Sequence, residues 1–264
     1  MKGRVAVVTG ASSGIGLCFS RRLAELGCNI VMVSNQQEEL DRYSEEISRE
    51  YGVKTYPYFL DLTAAGAAEQ LAEHIDSLGI TEDYVINNAG IFSFLPVCDT
   101  APGKIDCFVK LHVAAVTEMS RVFATRMMAR GHGRILNMSS MSCWMPMPGI
   151  AMYAATKAYI RVFSRALHYE TRDSGVTVTV ACPGGIATDL FGLPENLKKL
   201  AVNIGAIDTP ERFVKKALKR MLKGKKQYIN GIVNRLAIVF IAVLPTSARM
   251  LVKRKMLDKN ITRP

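Results

Sequence analysis

The stretch Val5-Ala6-Val7-Val8-Thr9-Gly10-Ala11-Ser12-Ser13-Gly14-Ile15-Gly16 decides the fold. A short β-branched run enters a turn with glycines at 10, 14 and 16, and a helical spacing of apolar residues begins at Ile15. Glycines between a strand and a helix let backbone amides approach an anion, and the helix start adds the positive end of its dipole. A lone G-x-x-x-G-x-G is a weak signal, equally met by a tight turn that binds nothing. As the first strand–turn–helix of an alternating chain, it points to a dinucleotide whose pyrophosphate rests on Gly10, Ser12, Ser13, Gly14, Ile15 and Gly16.

That alternation continues downstream. Strands are predicted at 4–8, 29–33, 54–60, 83–86, 134–138 and 176–181, with 227–229 as a further one; helical spacing covers 15–27, 36–51, 64–78, 104–131 and 153–174. Strand–helix alternation without internal repeats predicts an α/β chain: a single-domain Rossmann fold, with a doubly wound parallel sheet and helices on both faces. Residues 1–190 are expected to form the dinucleotide-binding catalytic core. Residues 191–264 add a substrate flap, a last helix and strand, and a basic apolar tail to the same domain.

The length of 264 residues suits one large α/β domain, and 49% hydrophobic with 22% charged residues excludes disordered and low-complexity classes. The net charge of +11 is uneven: 1–190 hold 17 Lys and Arg against 19 Asp and Glu, whereas 191–264 hold 17 against 4. The six cysteines show no metal-ligand spacing and are expected to be buried small hydrophobes in a reducing compartment. Met1-Lys2-Gly3-Arg4 runs directly into the first strand, leaving no room for a signal peptide, so a cytoplasmic location is expected.

Enzymes that hold the adenosine ribose as a diol place an acid at the end of the second strand. Here Ser34-Asn35-Gln36 follows Val33 and the first acid is Glu38, which favours NADP(H) over NAD(H). No Arg or Lys stands at that turn to bind a 2′-phosphate. Asp61 and Leu62, after the third strand, are suitably placed to meet the adenine. Further on, Tyr153 and Lys157 share a helix face at a spacing of four. A free tyrosine has a pKa of about 10, so acting near neutrality requires about 4 kcal/mol of depression, which a nearby cation can largely supply. Ser140, at the end of the fifth strand, reaches the same cleft and can polarise a carbonyl.

Five motifs occur in order: Thr9-Gly10-x-x-x-Gly14-x-Gly16, Asn87-Asn88-Ala89-Gly90, Ser140, Tyr153-x-x-x-Lys157, and Pro183-Gly184 followed by Thr188. Over about residues 3–190 the chain therefore resembles the short-chain dehydrogenase/reductase family. The resemblance implies hydride transfer between a nicotinamide and a carbonyl carbon. Tyr153 would be the general acid/base, Ser140 would hydrogen-bond the substrate oxygen, and Lys157 would bind the nicotinamide ribose and lower the tyrosine pKa. Asn87, Asn88, Ala89 and Gly90 would line the cofactor, beside Pro183 and Gly184, with Ile186 and Thr188 at the carboxamide.

One position departs from the family's pattern. Where the family has an asparagine whose main-chain carbonyl holds a water linking the lysine to solvent, this chain has His112. His112 either fills the space or takes part in the proton relay; an extra ionisation near pH 6 to 7 would mark the second case.

Substrate chemistry is suggested by two regions. Met141–Met152 carries four methionines at 141, 145, 147 and 152, and Trp144, which reads either as an adaptable apolar wall or as core packing. Residues 188–206 mix apolar side chains with Lys198 and Lys199, as a flap over the cleft or as a surface helix. A small lipophilic ketone or alcohol is expected, with a hydroxysteroid as the alternative substrate; a non-catalytic dinucleotide sensor is the reading from another class. The apolar run Leu236–Leu244, followed by Arg249, Lys253, Arg254 and Lys255, has the pattern of a peripheral membrane anchor, and the tail is loosely similar to those of lipid-modifying keto-acyl and 3-ketosphinganine reductases. The competing reading packs that run against the sheet or a partner subunit. Membrane contact would put the protein at the inner face of a membrane. Nucleic acid is not expected, since the basic region lacks interleaved aromatics. A homo-oligomer is expected from the long helices that pair between subunits in many relatives.

Overall fold

The computed structural model describes residues 1–186 and 207–258. Thr188 and the expected flap lie outside the described residues.

Seven strands, β1 (Val5–Thr9), β2 (Asn29–Ser34), β3 (Thr55–Phe59), β4 (Tyr84–Asn87), β5 (Gly133–Met138), β6 (Val176–Cys182) and β7 (Gln227–Ile229), form one parallel sheet ordered β3-β2-β1-β4-β5-β6-β7. The order reverses at the β1–β4 pair, where Ala6, Val7 and Val8 stand against Tyr84, Val85 and Ile86. A crevice opens beyond the carboxyl ends of strands at such a reversal. β7 pairs with β6, so residues after 190 extend the same sheet.

Alternating side chains send β1 into two cores. Ala6 and Val8 join Phe19 and Leu23 of α1 (Gly14–Glu25), Leu40 and Ile47 of α2 (Gln37–Tyr51), and a later helix. Val5 and Val7 join Leu71 and Ile75 of α3 (Ala67–Ser77) and further residues on the opposite face. The doubly wound sheet expected from the sequence is thus present.

The long helix expected over 104–131 is in fact two, α4 (Pro102–Val109) and α5 (Ala115–Arg130), joined by a π-helical turn over Lys110–Ala114 in which the Ala115 amide donates to Lys110 O. His112 lies in that turn, fully buried. α6 (Ala151–Thr171) follows β5, and α7 (Pro210–Leu222) completes the first core with Phe213 and Leu218. Two short helices, α8 (Ile232–Ala242) and α9 (Thr246–Val252), close the described chain with a second π-helical turn over Lys253–Asp258. The cysteines are free thiols, but only Cys28 and Cys182 are buried; Cys98 is exposed, which corrects the uniform burial expected for them.

Candidate active site

The cleft at the sheet reversal has a volume of about 290 Å³ and is walled by the turns after β1, β4, β5 and β6. Its floor is the glycine turn. Gly10 and Gly14 take positive φ of 63° and 51°, a region that disfavours side chains. Gly16 packs so closely that a Cβ would stand 1.9 Å from Gly10 O, so α1 can start directly over β1. Thr9 ties this turn to the next: its Oγ1 accepts from the Asn88 and Ala89 amides at 3.0 Å each, and Asn88 Nδ2 donates back to Thr9 O at 3.0 Å. The first turn of α1 holds no acidic residue, and Ser13 makes no capping bond. Its N–H groups therefore present partial positive charge to the cleft, which fits a pyrophosphate.

At the other side, Ser140 leaves β5 while Tyr153 and Lys157 occupy the first two turns of α6. Ser139 Oγ donates to Lys157 O at 2.7 Å, and Lys157 Nζ donates to Met138 O at 3.0 Å; together these bonds fix α6 to the end of β5. Ser140 Oγ accepts from the Ser142 amide at 3.2 Å, capping a short turn over Met141–Trp144. Phe92 meets the Tyr153 ring edge-on at 5.0 Å.

Burial governs both titrating groups. It pushes the Tyr153 phenol up to about 12, although a hydrogen bond with Ser140 works the other way. It also brings the Lys157 ammonium down to about 8. The depression of the phenol expected from Lys157 is thus not seen in the protein chain by itself: desolvation dominates, and the ammonium stands 5.6 Å from the ring centre.

His112 is held at both ring nitrogens. Nε2 accepts from the Ile91 amide at 3.0 Å, and Nδ1 lies 3.0 Å from Thr156 Oγ1, which in turn donates to Tyr153 O at 3.1 Å. Because Nε2 accepts, the neutral ring carries its proton on Nδ1 and donates to Thr156. Burial, reinforced by Lys157, pushes His112 down to about 2, so it carries no charge at neutral pH. The extra ionisation near pH 6 to 7 finds no group here.

Of the expected cofactor contacts, Gly10, Ser13, Gly14, Ile15, Ala89, Gly90, Tyr153, Lys157, Pro183, Gly184 and Ile186 line the cleft. Others are placed elsewhere. Ser12 Oγ bonds Ser34 Oγ at 2.8 Å and Gln36 Oε1 at 2.7 Å, and Gln36 N donates to Ser34 Oγ at 3.1 Å, so Ser12 and Ser34 brace two turns together. Asn35 remains exposed. Asp61 Oδ1 accepts from the Thr63 amide at 2.9 Å in its own turn, and Leu62 packs on the second core. Asn87 Nδ2 turns inward to Asn137 Oδ1 at 2.8 Å, away from the cleft. Asn88 lines the cleft as its motif implied, and Ile91, Met138 and Ser139 line it unanticipated.

A separate, mainly apolar groove of about 510 Å³ is lined by Met145, Pro146, Met147, Pro148 and the Ala151, Ala154, Ala155 and Ala158 face of α6, away from Tyr153 and Lys157, with Arg249 at its edge. Methionines 145 and 147 thus form a wall and not core. Gly149, at φ 85°, sits against Phe94 and the buried Leu257: a Cβ there would lie 2.9 Å from the Phe94 ring and 3.1 Å from Leu257 Cδ2.

A dinucleotide cradle opposite a buried tyrosine–lysine pair, on a doubly wound parallel sheet, defines a nicotinamide-dependent oxidoreductase acting on CH–OH/C=O pairs. The model of the short chain dehydrogenase family matches residues 4–196. The very-long-chain 3-oxoacyl-CoA reductase of Bos taurus is 33% identical over 236 residues, covering 87% of this chain and 71% of that protein. The 17-beta-hydroxysteroid dehydrogenase type 3 of Mus musculus is 32% identical over 224 residues, covering 84% and 70%. Among solved structures, L-sorbose reductase from Gluconobacter frateurii, complexed with NADPH and L-sorbose, superposes with a TM-score of 0.76 at 26% identity, covering 86% of this chain and 95% of that one. The chain belongs to the short-chain dehydrogenase/reductase family.

Proposed function

We propose that the protein is an NADP(H)-linked reductase of a lipophilic ketone, of the keto-acyl or 3-ketosphinganine type. The observation that carries this reading is the meeting of Ser140, Tyr153 and Lys157 in one cleft at the mouth of the dinucleotide cradle. Its similarity to a very-long-chain 3-oxoacyl-CoA reductase supports the same substrate class.

The glycine turn and the amino end of α1 would hold the pyrophosphate, and Lys157 the nicotinamide ribose. Bound there, the nicotinamide supplies or accepts the hydride. Tyr153, a neutral phenol at working pH, gives its proton to the carbonyl oxygen during reduction. Ser140 Oγ donates a hydrogen bond to that same oxygen. Lys157, still largely protonated at neutral pH, stabilises the phenolate left behind.

The preference for NADP(H) rests on the end of β2, where exposed Asn35 stands and the first acid is Glu38, so no carboxylate repels a 2′-phosphate. The NADPH complex of L-sorbose reductase is consistent with it. A hydroxysteroid dehydrogenase working in the oxidative direction is the second reading, favoured by the similarity to the type 3 enzyme. A sensor without catalysis has no use for the three side chains that meet in the cleft. No described helix is long and apolar enough to cross a membrane. The tail from α8 onward is assigned to peripheral contact with the inner face of a membrane, and α5 and α6 to a homo-oligomer.

Turnover of long-chain 3-keto-acyl thioesters, 3-ketosphinganine and ketosteroids, each with NADPH and NADH, tests the reading. NADPH with a keto-acyl or keto-base substrate should give the highest kcat/KM. Preferred oxidation of a hydroxysteroid would favour the second reading; a preference for NADH would overturn the cofactor assignment.

A further inference from the structure

We propose that α8 is an in-plane lipid-docking helix, seated on the wall of the catalytic cleft, whose exposed apolar face lies on an anionic bilayer. The proposal deepens the peripheral-membrane part of the reading above and rests on it.

Ile232, Val233, Leu236, Val239, Phe240 and Val243 are each 65–73% exposed. At about 100° per residue they fall within an arc of about 120°, while Ile238 faces the opposite side and is buried. Single exposed apolar residues are ordinary, but five on one helix face and a sixth, Val243, at its cap make a contiguous patch of the kind that marks an interaction surface. With 11 residues α8 is about 16 Å long, half of the roughly 30 Å hydrocarbon thickness, so it can lie in the interface but not cross it.

Charge selects the occupant. Between Glu211 and Asp258 the chain has thirteen Lys and Arg and no acidic residue. Arg235, at the edge of the apolar arc, and Lys253 and Arg254 in the following turn are exposed. A second copy packed face to face would bring these cations together, whereas anionic headgroups neutralise them.

The seat of α8 links docking to the cleft. Gly184 N donates to Asn230 Oδ1 at 2.7 Å, and Asn234 Nδ2 donates to Asn230 O at 2.9 Å. Gly184 also lines the cleft, and a Cβ on it would stand 2.3 Å from Asn234 Nδ2. A bilayer against α8 therefore lies next to the site where a lipophilic ketone would react.

The test is co-sedimentation of the full chain with phosphatidylcholine vesicles, with and without about 30% phosphatidylserine, at low and high salt. Reduction of a small water-soluble ketone is followed in the same preparations. The wild type should bind the anionic vesicles, lose binding as salt rises, and bind phosphatidylcholine alone much more weakly. Leu236→Glu/Phe240→Glu, two changes at exposed positions, should weaken binding at least about tenfold and leave turnover of the soluble ketone unchanged. Equal binding by the variant, or no binding by an active wild type, overturns the proposal. A wild-type dimer in sedimentation velocity that is lost in the variant, without vesicle binding, assigns the face to a second copy and also overturns it. Vesicle binding without turnover of any carbonyl would instead sink the reductase reading and leave the docking helix standing.

Discussion

Lys157 Nζ lies 5.6 Å from the centre of the Tyr153 ring while its hydrogen bond goes to Met138 O at 3.0 Å. The two side chains share a helix face, yet the backbone of β5 holds the ammonium. Burial then drives their titrations in opposite directions, the phenol up to about 12 and the amine down to about 8. Near neutral pH the pair is a neutral phenol beside a largely protonated amine, the state that the proposed reduction requires.

Tyr153→Phe removes the Oη and little else. Turnover should fall by about 10²–10⁴-fold, while NADPH affinity, read from its fluorescence, stays within about threefold of wild type. Near-native turnover would show that another group moves the proton.

The pH dependence follows from Lys157. Burial disfavours its charged form, so the free enzyme carries the ammonium below about pH 8 and loses it as pH rises through that value. For reduction, kcat/KM should be level below that pH and decline above it. Lys157→Arg stays charged throughout, so its rate, though lower, should lack the falling limb. A limb that survives in Lys157→Arg belongs to a different group.

His112 is pushed down to about 2 and is neutral at every working pH. The pH profiles of wild type and His112→Asn should have the same shape, with no ionisation between 6 and 7 to lose. His112→Ala leaves the Ile91 amide without its acceptor and should cost about 1–3 kcal/mol of stability, seen as a lower denaturant midpoint. An ionisation present only in the wild type would reverse this assignment.

At Gly16 the neighbour of an added Cβ is the backbone of Gly10, at 1.9 Å, which has no rotamer to yield. Gly16→Ala should destabilise by about 1–3 kcal/mol and weaken dinucleotide binding by more than about tenfold, as titration calorimetry would report. Gly103→Ala, where nothing lies within 4 Å, is the control and should alter neither.

Much of this architecture was legible because parallel strands buried on both faces read as unbroken apolar runs. All seven strands fall within a residue or two of their expected places, and the glycine turn located the cleft. What escaped depends on direction and partnership. Asn87 and Asn88 are adjacent in one motif, but Asn87 is still inside β4 and turns to Asn137, while Asn88 lies beyond the strand and faces the cleft. Ser12 and Ser34 were expected to face a ligand, and instead find each other across a separation no local pattern encodes. The π-helical turn is hidden because apolar spacing barely changes over five residues. Likewise, the run from Leu236 does not announce which of its sides the protein leaves bare.

Leu257, buried against Gly149 and Phe94, comes from the far end of the described chain, whereas Ser140 follows β5, and Tyr153 and Lys157 lie in α6. The loop that carries the chain from Ser140 to Tyr153 is therefore pinned by a residue more than a hundred positions further on. A substitution at Leu257 would thus disturb the seat of that loop while leaving β5 and α6 untouched.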